Sequence, residues 1–186
     1  MENPQQQEAF AYFSRVARAW RRKAEGQGPE EKFNVIATRN AFVLAVAERM
    51  GTVARALDIG CGTGELVCDL ARRGLRATGI DFAPEMIRLA QEKAEHEGLS
   101  HAEFLHASLF DFHPEALFDL VAANGLIEYI TPEELTAFLK KARVMVREQG
   151  RLVVGSRNRL FNAFSLNAFT EMERASGCLP DLVREA

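Results

Sequence analysis

Nine residues, Leu57-Asp58-Ile59-Gly60-Cys61-Gly62-Thr63-Gly64-Glu65, bring two acids and three glycines into one short stretch. An apolar run, Val53-Ala54-Arg55-Ala56-Leu57, leads into it, and a helical pattern with Leu66, Val67 and Leu70 leads out. The glycines therefore sit on a turn between a strand and a helix, where backbone can approach a ligand closely. The helix start offers unpaired N–H groups and a partial positive charge, suited to a carboxylate or phosphate.

The spacing selects among ligands. Gly60, Gly62 and Gly64 read G-x-G-x-G, whereas a dinucleotide fingerprint would place glycine where Glu65 stands. A carboxylate in the first helical turn suits the helix dipole but sits poorly beside a pyrophosphate. Asp58 adds a second negative charge. The loop suits a ligand that is partly cationic with one small anionic group. S-adenosylmethionine has a sulfonium, an ammonium and a single carboxylate, and it fits. The stretch Leu57 to Gly64 resembles motif I of the class I S-adenosylmethionine-dependent methyltransferases. A second element agrees. Arg76-Ala77-Thr78-Gly79-Ile80-Asp81 reads as the next strand, and its acid lies 21 residues beyond Gly60, one helix plus one strand. That puts Asp81 at the carboxyl end of the neighbouring strand, placed to accept both ribose hydroxyls. Asp81-Phe82-Ala83-Pro84-Glu85-Met86 looks like the acidic loop of the same family. The resemblance implies cofactor contacts from Asp58, Gly60, Cys61, Gly62, Asp81, Phe82 and Met86.

Composition sets the bounds. The chain has 186 residues, 47% hydrophobic and 26% charged, with net charge −3. That suits one globular domain with a sizeable core and gives no support for a nucleic-acid partner. No apolar run reaches membrane-spanning length, and the polar start, Met1 to Glu8, is not a signal peptide, so a cytoplasmic protein is expected. Cys61, Cys68 and Cys178 have no zinc spacing, and no metal is expected. Cys61 is read as a small side chain in a tight turn rather than a nucleophile.

Two helices are expected before the first strand, Ala9 to Lys23 and about Glu31 to Met50, forming an N-terminal cap over residues 1–50. Phe13, Trp20 and Phe33 are candidates to line a substrate pocket or simply to fill core. Arg39 is placed to reach the methionine carboxylate, or to lie on a solvated helix face. The core, 51–156, alternates strand and helix as a doubly wound, mostly parallel α/β sheet with helices on both faces requires. Strands are expected at Arg55–Ile59, Ala77–Ile80, Ala102–His106, Leu117–Ala123 and Arg151–Gly155. The last helix starts at Thr131 in a capping box and runs to about Arg147.

Ligands of such sheets bind beyond the carboxyl ends of the strands. After strand three, Ala107-Ser108-Leu109 would face the adenine. The resembled family often has an acid near Ser108, and it is missing here. Packing by Phe82 and Leu109 would then carry more of the recognition, with Asp111 a nearby alternative. After strand four, Asn124-Gly125-Leu126-Ile127-Glu128-Tyr129 resembles motif IV of the small-molecule branch, with Asn124 and Gly125 facing the methionine part. The Asn/Asp-Pro-Pro-Tyr/Phe signature of nucleic-acid amino-methyltransferases is absent. Glu128 and Tyr129 are weak catalytic candidates, or else residues that cap and pack the next helix.

Beyond Gly155 the pattern departs from the family. Only 31 residues follow, 157–186 read as a helical tail, and the usual C-terminal strand hairpin is not evident. The expectation is a truncated form, or a homo-oligomer or partner chain covering strand five. The function implied is methyl transfer to an O, N or C nucleophile of a small molecule. The rival is a cofactor-binding module that works only within a larger assembly, and a nucleotide-dependent oxidoreductase is disfavoured by Glu65.

Overall fold

A computed structural model describes residues 4–24 and 34–156. The chain divides into two units, Met1–Gly155 and Ser156–Ala186, and the sheet with its helices belongs to the first. The elements run α1 (Pro4–Ala24), α2 (Val35–Met50), β1 (Arg55–Ile59), α3 (Glu65–Arg72), β2 (Arg76–Asp81), α4 (Pro84–His96), β3 (Ala102–His106), β4 (Phe118–Asn124), a 3-10 turn (Ile127–Tyr129), α5 (Pro132–Met145) and β5 (Val146–Gly155). The five strands form one sheet in the order β3-β2-β1-β4-β5, and every pairing is parallel. This is the doubly wound α/β architecture that the alternation of patterns implies. The order reverses between β1 and β4, and ligands of such sheets bind in the crevice beyond the carboxyl ends of the strands at that point.

Alternation along the strands sorts the core into two layers. Ala56, Ala77, Phe104, Leu120 and Ala122 face α2, α3 and α4, meeting Val43, Leu44, Val67, Leu70 and Ala90. Leu57, Ile59, Ile80, Val121 and Ala123 face α5, meeting Phe138, Ala142 and Met145. The central strands β1 and β4 are buried on both faces, which is why they read as continuous apolar runs. The capping box of α5 forms as the sequence implies. The Thr131 hydroxyl accepts from the Glu134 N–H, and the Glu134 carboxylate accepts from the Thr131 N–H. Asn34 caps α2 by accepting from the Ala37 N–H at 3.0 Å, and Gly51 ends that helix at φ +70°.

The sequence pattern carries α5 to about Arg147, but the helix stops at Met145 and β5 begins at Val146. The cause is a tertiary demand. Val146 pairs with Phe118, a register shift follows, and Arg151 pairs with Leu120. Asp119 sits at that irregularity. Its carboxylate accepts from the N–H groups of Ala54 and Arg55, both at 2.9 Å, and from the Arg147 guanidinium at 2.6 Å. Burial pushes the Asp119 carboxyl up, but those donors outweigh it and hold the group below the usual carboxylate range. Its contribution to stability is therefore present above the ordinary carboxylate pKa and lost as pH falls through the lower folded value.

Close packing between the layers generates a prediction. A Cβ at Gly79 on β2 would lie 2.8 Å from Cys61 Sγ and 2.9 Å from both Phe104 and Val67. Gly79→Ala should destabilise the fold by about 1–3 kcal/mol through overpacking. Urea unfolding measures it, and Phe104→Leu in the same chain should recover part of the loss.

Candidate functional site

The glycine turn joins β1 to α3 and lies at the carboxyl end of the sheet, beside the strand-order reversal. Its amides are largely taken up within the protein. The Gly60 and Cys61 N–H groups both donate to the Ile80 carbonyl, at 2.9 and 3.0 Å, and the Gly64 N–H donates to the Cys61 carbonyl at 3.0 Å. The Gly62 N–H donates to Asp81 Oδ2 at 2.9 Å. The anion cradle suggested by a glycine-rich turn is thus mostly closed, a difference that sequence alone does not reveal. Glu65 also differs from its sequence reading. It accepts from the Thr63 hydroxyl at 2.8 Å and pairs with Lys93 at 3.3 Å, so its charge is held against the protein rather than presented bare.

Asp81 is the centre of the site. One carboxylate oxygen accepts from Gly62 and the other from the Ala83 N–H at 2.9 Å. Each oxygen retains a second lone pair for a hydroxyl donor. Burial pushes its pKa up to about 6, against the opposing pull of the Ala83 and Gly62 N–H groups and of His106. Asp58, buried on β1, is pushed well above the usual carboxylate range by burial and then by Asp81 and Glu65. Burial likewise pushes the Cys61 thiol up, with Asp81 and Asp58 adding to it. Cys61 is a packing residue lodged against Gly79, with no thiolate character. Three carboxyl groups converge here, and a cationic ligand would favour their ionised forms.

The remaining candidates are distributed around this centre. Phe82 meets Phe10 and Phe13 at ring-centre distances of 6.0 and 6.3 Å. Phe13 also meets Trp20 at 5.5 Å and Tyr129 at 5.1 Å, edge to face. An aromatic wall on α1 thereby spans the crevice from the β2 turn to the β4 turn. Trp20 stands over the glycine loop, its Nε1 3.4 Å from where a Cβ on Gly62 would be. Met86 is buried with Ala17, Ala83 and Leu89 beneath α1, so its contact with any ligand is limited by that packing. Of Glu128 only the backbone, in the 3-10 turn, is described. Phe33 lies outside the described residues.

On the β3 side, the Ala107 N–H donates to the Asp81 carbonyl at 3.0 Å, and Leu109 is buried. Ser108 Oγ accepts from the Phe110 N–H at 3.2 Å, which turns the chain and leaves the hydroxyl proton for another partner. Asp111 is exposed. His106 Nε2 lies 3.0 Å from the Phe82 carbonyl and pins the β2 turn. On the β4 side, Arg39 of α2 reaches the strand ends. Its Nη1 lies 3.0 Å from where a Cβ on Gly125 would be, and its Cδ is 3.6 Å from the equivalent point on Gly155. The Gly125 N–H donates to the Gly155 carbonyl at 2.7 Å.

Two contributors escape sequence reasoning. Asn40 is buried on α2 and accepts from Asn124 Nδ2 at 3.3 Å. Its signal was a polar residue in phase with the buried Val43, Leu44 and Ala47. Leu126 underlies Gly60, at 3.6 Å from a Cβ placed there. Two clefts, of about 580 and 420 Å³, lie away from this site, beside α4 and β3 and at the amino ends of β1 to β3. Neither touches the glycine turn, and it is the chemistry above rather than cavity size that marks the site.

The family described as "Methyltransferase domain" matches residues 56–150, which spans the glycine turn, Asp81 and the β4 end. The chain belongs to the S-adenosylmethionine-dependent methyltransferase family. It is 31% identical to a ubiquinone biosynthesis O-methyltransferase of Methylobacterium sp. (strain 4-46), over 91% of this chain and 70% of that protein. It is 29% identical to the protein of the same name from Xanthomonas axonopodis pv. citri (strain 306), over 83% of this chain but only 62% of that one. Its fold is similar to that of magnesium protoporphyrin IX methyltransferase from Synechocystis PCC 6803 with bound SAH, with a TM-score of 0.74 at 19% identity, covering 93% of this chain and 78% of that one. No helix among the described residues is long and apolar enough to cross a membrane, and no group of metal-binding side chains occurs among them.

The raised Asp81 pKa predicts a pH trend for the ligand-free methyltransferase. The folded value of about 6 exceeds the ordinary value of 3.8, so the folded state holds the proton more tightly. Asp81 should therefore lower stability as pH rises from about 4 to about 6. Chemical unfolding across that range should show a flatter pH slope for Asp81→Asn than for the parent chain.

Proposed function

We propose that this methyltransferase transfers a methyl group from S-adenosylmethionine to a nucleophilic O, N or C atom of an apolar, aromatic small molecule. An oxygen nucleophile is favoured as acceptor, by analogy with the O-methyltransferase relatives. The single observation that carries the reading is the Asp81 carboxylate, buried between two loop amides with a lone pair left on each oxygen. That geometry suits the paired hydroxyls of a ribose. Asp58 offers a buried carboxyl to an ammonium, whose charge would favour the ionised form, and Arg39 at the Gly125 and Gly155 turns suits the single carboxylate. The loop amides that a pyrophosphate would need are already bonded to Ile80, Cys61 and Asp81, which disfavours dinucleotides.

When bound, the cofactor supplies an electrophilic methyl group on its sulfonium. The chain's own part is to fix the geometry. Holding acceptor and donor in line at contact distance lowers the barrier by roughly 7–11 kcal/mol. The aromatic wall of Phe13, Trp20, Phe82 and Tyr129 keeps water from the reacting atoms. A hydroxyl acceptor loses its proton on attack, and Glu128 and Tyr129 are the candidates nearest the β4 turn to receive it. In this reading residues 1–50 form the cap, 51–156 hold the cofactor, and 157–186 belong to the acceptor region. The protein works in the cytoplasm, and its β5 edge is covered by a second chain. That tail lies outside the described residues, while Val154 on β5 is 38% exposed. Light scattering should then report a dimer, and a monodisperse monomer would count against the shared edge.

Calorimetry should show S-adenosylhomocysteine binding more tightly than NAD or NADP, and the reverse order would sink the reading. Asp81→Ala should weaken that binding at least tenfold, since charge-assisted hydrogen bonds contribute about 1.5–3 kcal/mol each. Ribose hydroxyls donate to the ionised carboxylate, so binding below pH 6 must expel a proton. Affinity at pH 5 should be about tenfold weaker than at pH 8 and should level off above pH 7. Methyl transfer from labelled S-adenosylmethionine to a panel of phenols and amines tests catalysis itself. Tight cofactor binding with no transfer to any acceptor, unless a partner is added, would favour a module that acts only in an assembly.

A further inference from the structure

At the opposite end of the sheet from the glycine turn, two arginines open neighbouring strands. Arg55 on β1 and Arg76 on β2 are in-register partners. Their side chains leave the same face of the sheet, with the strands about 4.8 Å apart. Like charges so placed repel unless something lies between them. Arg55 is held by Phe118, whose ring centre lies 5.4 Å from the guanidinium carbon. That contact fixes the guanidinium but satisfies none of its N–H groups. Arg55 Nε is buried and has no acceptor among the described residues, and no carboxylate among them pairs with either arginine.

The two arginines line a recess of about 420 Å³, with Thr78, Ser100, His101 and Glu103. Glu103 is the one acid in that lining, and it accepts from the Thr78 hydroxyl at 3.3 Å. The recess is open for a topological reason. α5 covers the β1–β4 side of this face, while the connection from β3 to β4 has no helix to cover the β2–β3 side. Two guanidiniums against one carboxylate, lining an open recess, describe a site for an oxyanion.

We infer that this recess binds a phosphate-type oxyanion, held by Arg55 and Arg76. Guanidinium forks match the geometry of phosphate oxygens and form the stronger, charge-assisted class of hydrogen bond. A bound oxyanion would relieve the repulsion between the two arginines. The source is either free phosphate or a phosphate ester on a larger metabolite.

Thermal unfolding in inorganic phosphate tests this. Chloride at matched ionic strength is the control, and S-adenosylhomocysteine is kept saturating throughout. Phosphate should raise the melting temperature saturably in the parent chain. Arg76→Gln, at an exposed position that does not threaten folding, should weaken that response at least about tenfold. Arg55→Met keeps the apolar stem over Phe118 and should do the same. Affinity for S-adenosylhomocysteine should be unchanged in Arg76→Gln, so the outcome is read separately from the methyltransferase assignment. Glycerol 3-phosphate binding more tightly than phosphate would point to an ester as the source, and equal binding to free phosphate. An equal response in chloride, or an undiminished phosphate response in Arg76→Gln, overturns the proposal.

Discussion

The structure of the site depends on one buried carboxylate. Asp81 ends β2, yet it is bonded to the Gly62 N–H of the turn after β1 and to the Ala83 N–H of its own turn. These two bonds lock adjacent strand ends into one rigid edge. Burial opposes the charge and the two N–H donors favour it, so the group is poised near pH 6. A ligand that donates two further hydrogen bonds tips the balance to the ionised form. The conformation of the loop and the chemistry of the ligand are thereby joined at a single residue.

Around that carboxylate the crevice is graded. The carboxyls of Asp58 and Glu65 line its floor, Asp58 pushed towards its neutral form by burial and Glu65 bonded to Lys93 and Thr63. Arg39 brings positive charge to the far turns of β4 and β5. Its roof is aromatic, built from Phe13 and Trp20 of α1 with Phe82 and Tyr129. A ligand with positive charge at the centre, a carboxylate at one end and an apolar partner above meets complementary chemistry in each direction. Preorganised charge and excluded water are what a displacement reaction requires of its protein.

Much of this was legible in the sequence. The G-x-G-x-G turn and an acid one helix and one strand later placed Gly60, Gly62 and Asp81 together, because spacing on a doubly wound sheet maps directly onto position. Strand β3 and the α5 capping box were legible for the same local reasons. The illegible parts depended on distant partners. The end of α5 was overruled by pairing of Val146 with Phe118 and by the donors gathered on Asp119. Glu65 reads as a bare charge in sequence, yet Lys93, one helix away, stands beside it. Asn40 meets Asn124 across 84 residues of chain, a contact that no local pattern announces.

Trp20 is the one tryptophan in the chain, and its indole nitrogen stands against the glycine turn. All indole emission from this protein therefore originates at the roof of the crevice. Displacement of α1, quenching by a stacked ring, or a change in polarity over Gly62 alters the same signal. The protein carries an intrinsic optical reporter at its proposed site, with no background from elsewhere in the fold. The order in which cofactor and acceptor arrive can thus be followed in stopped flow without a label.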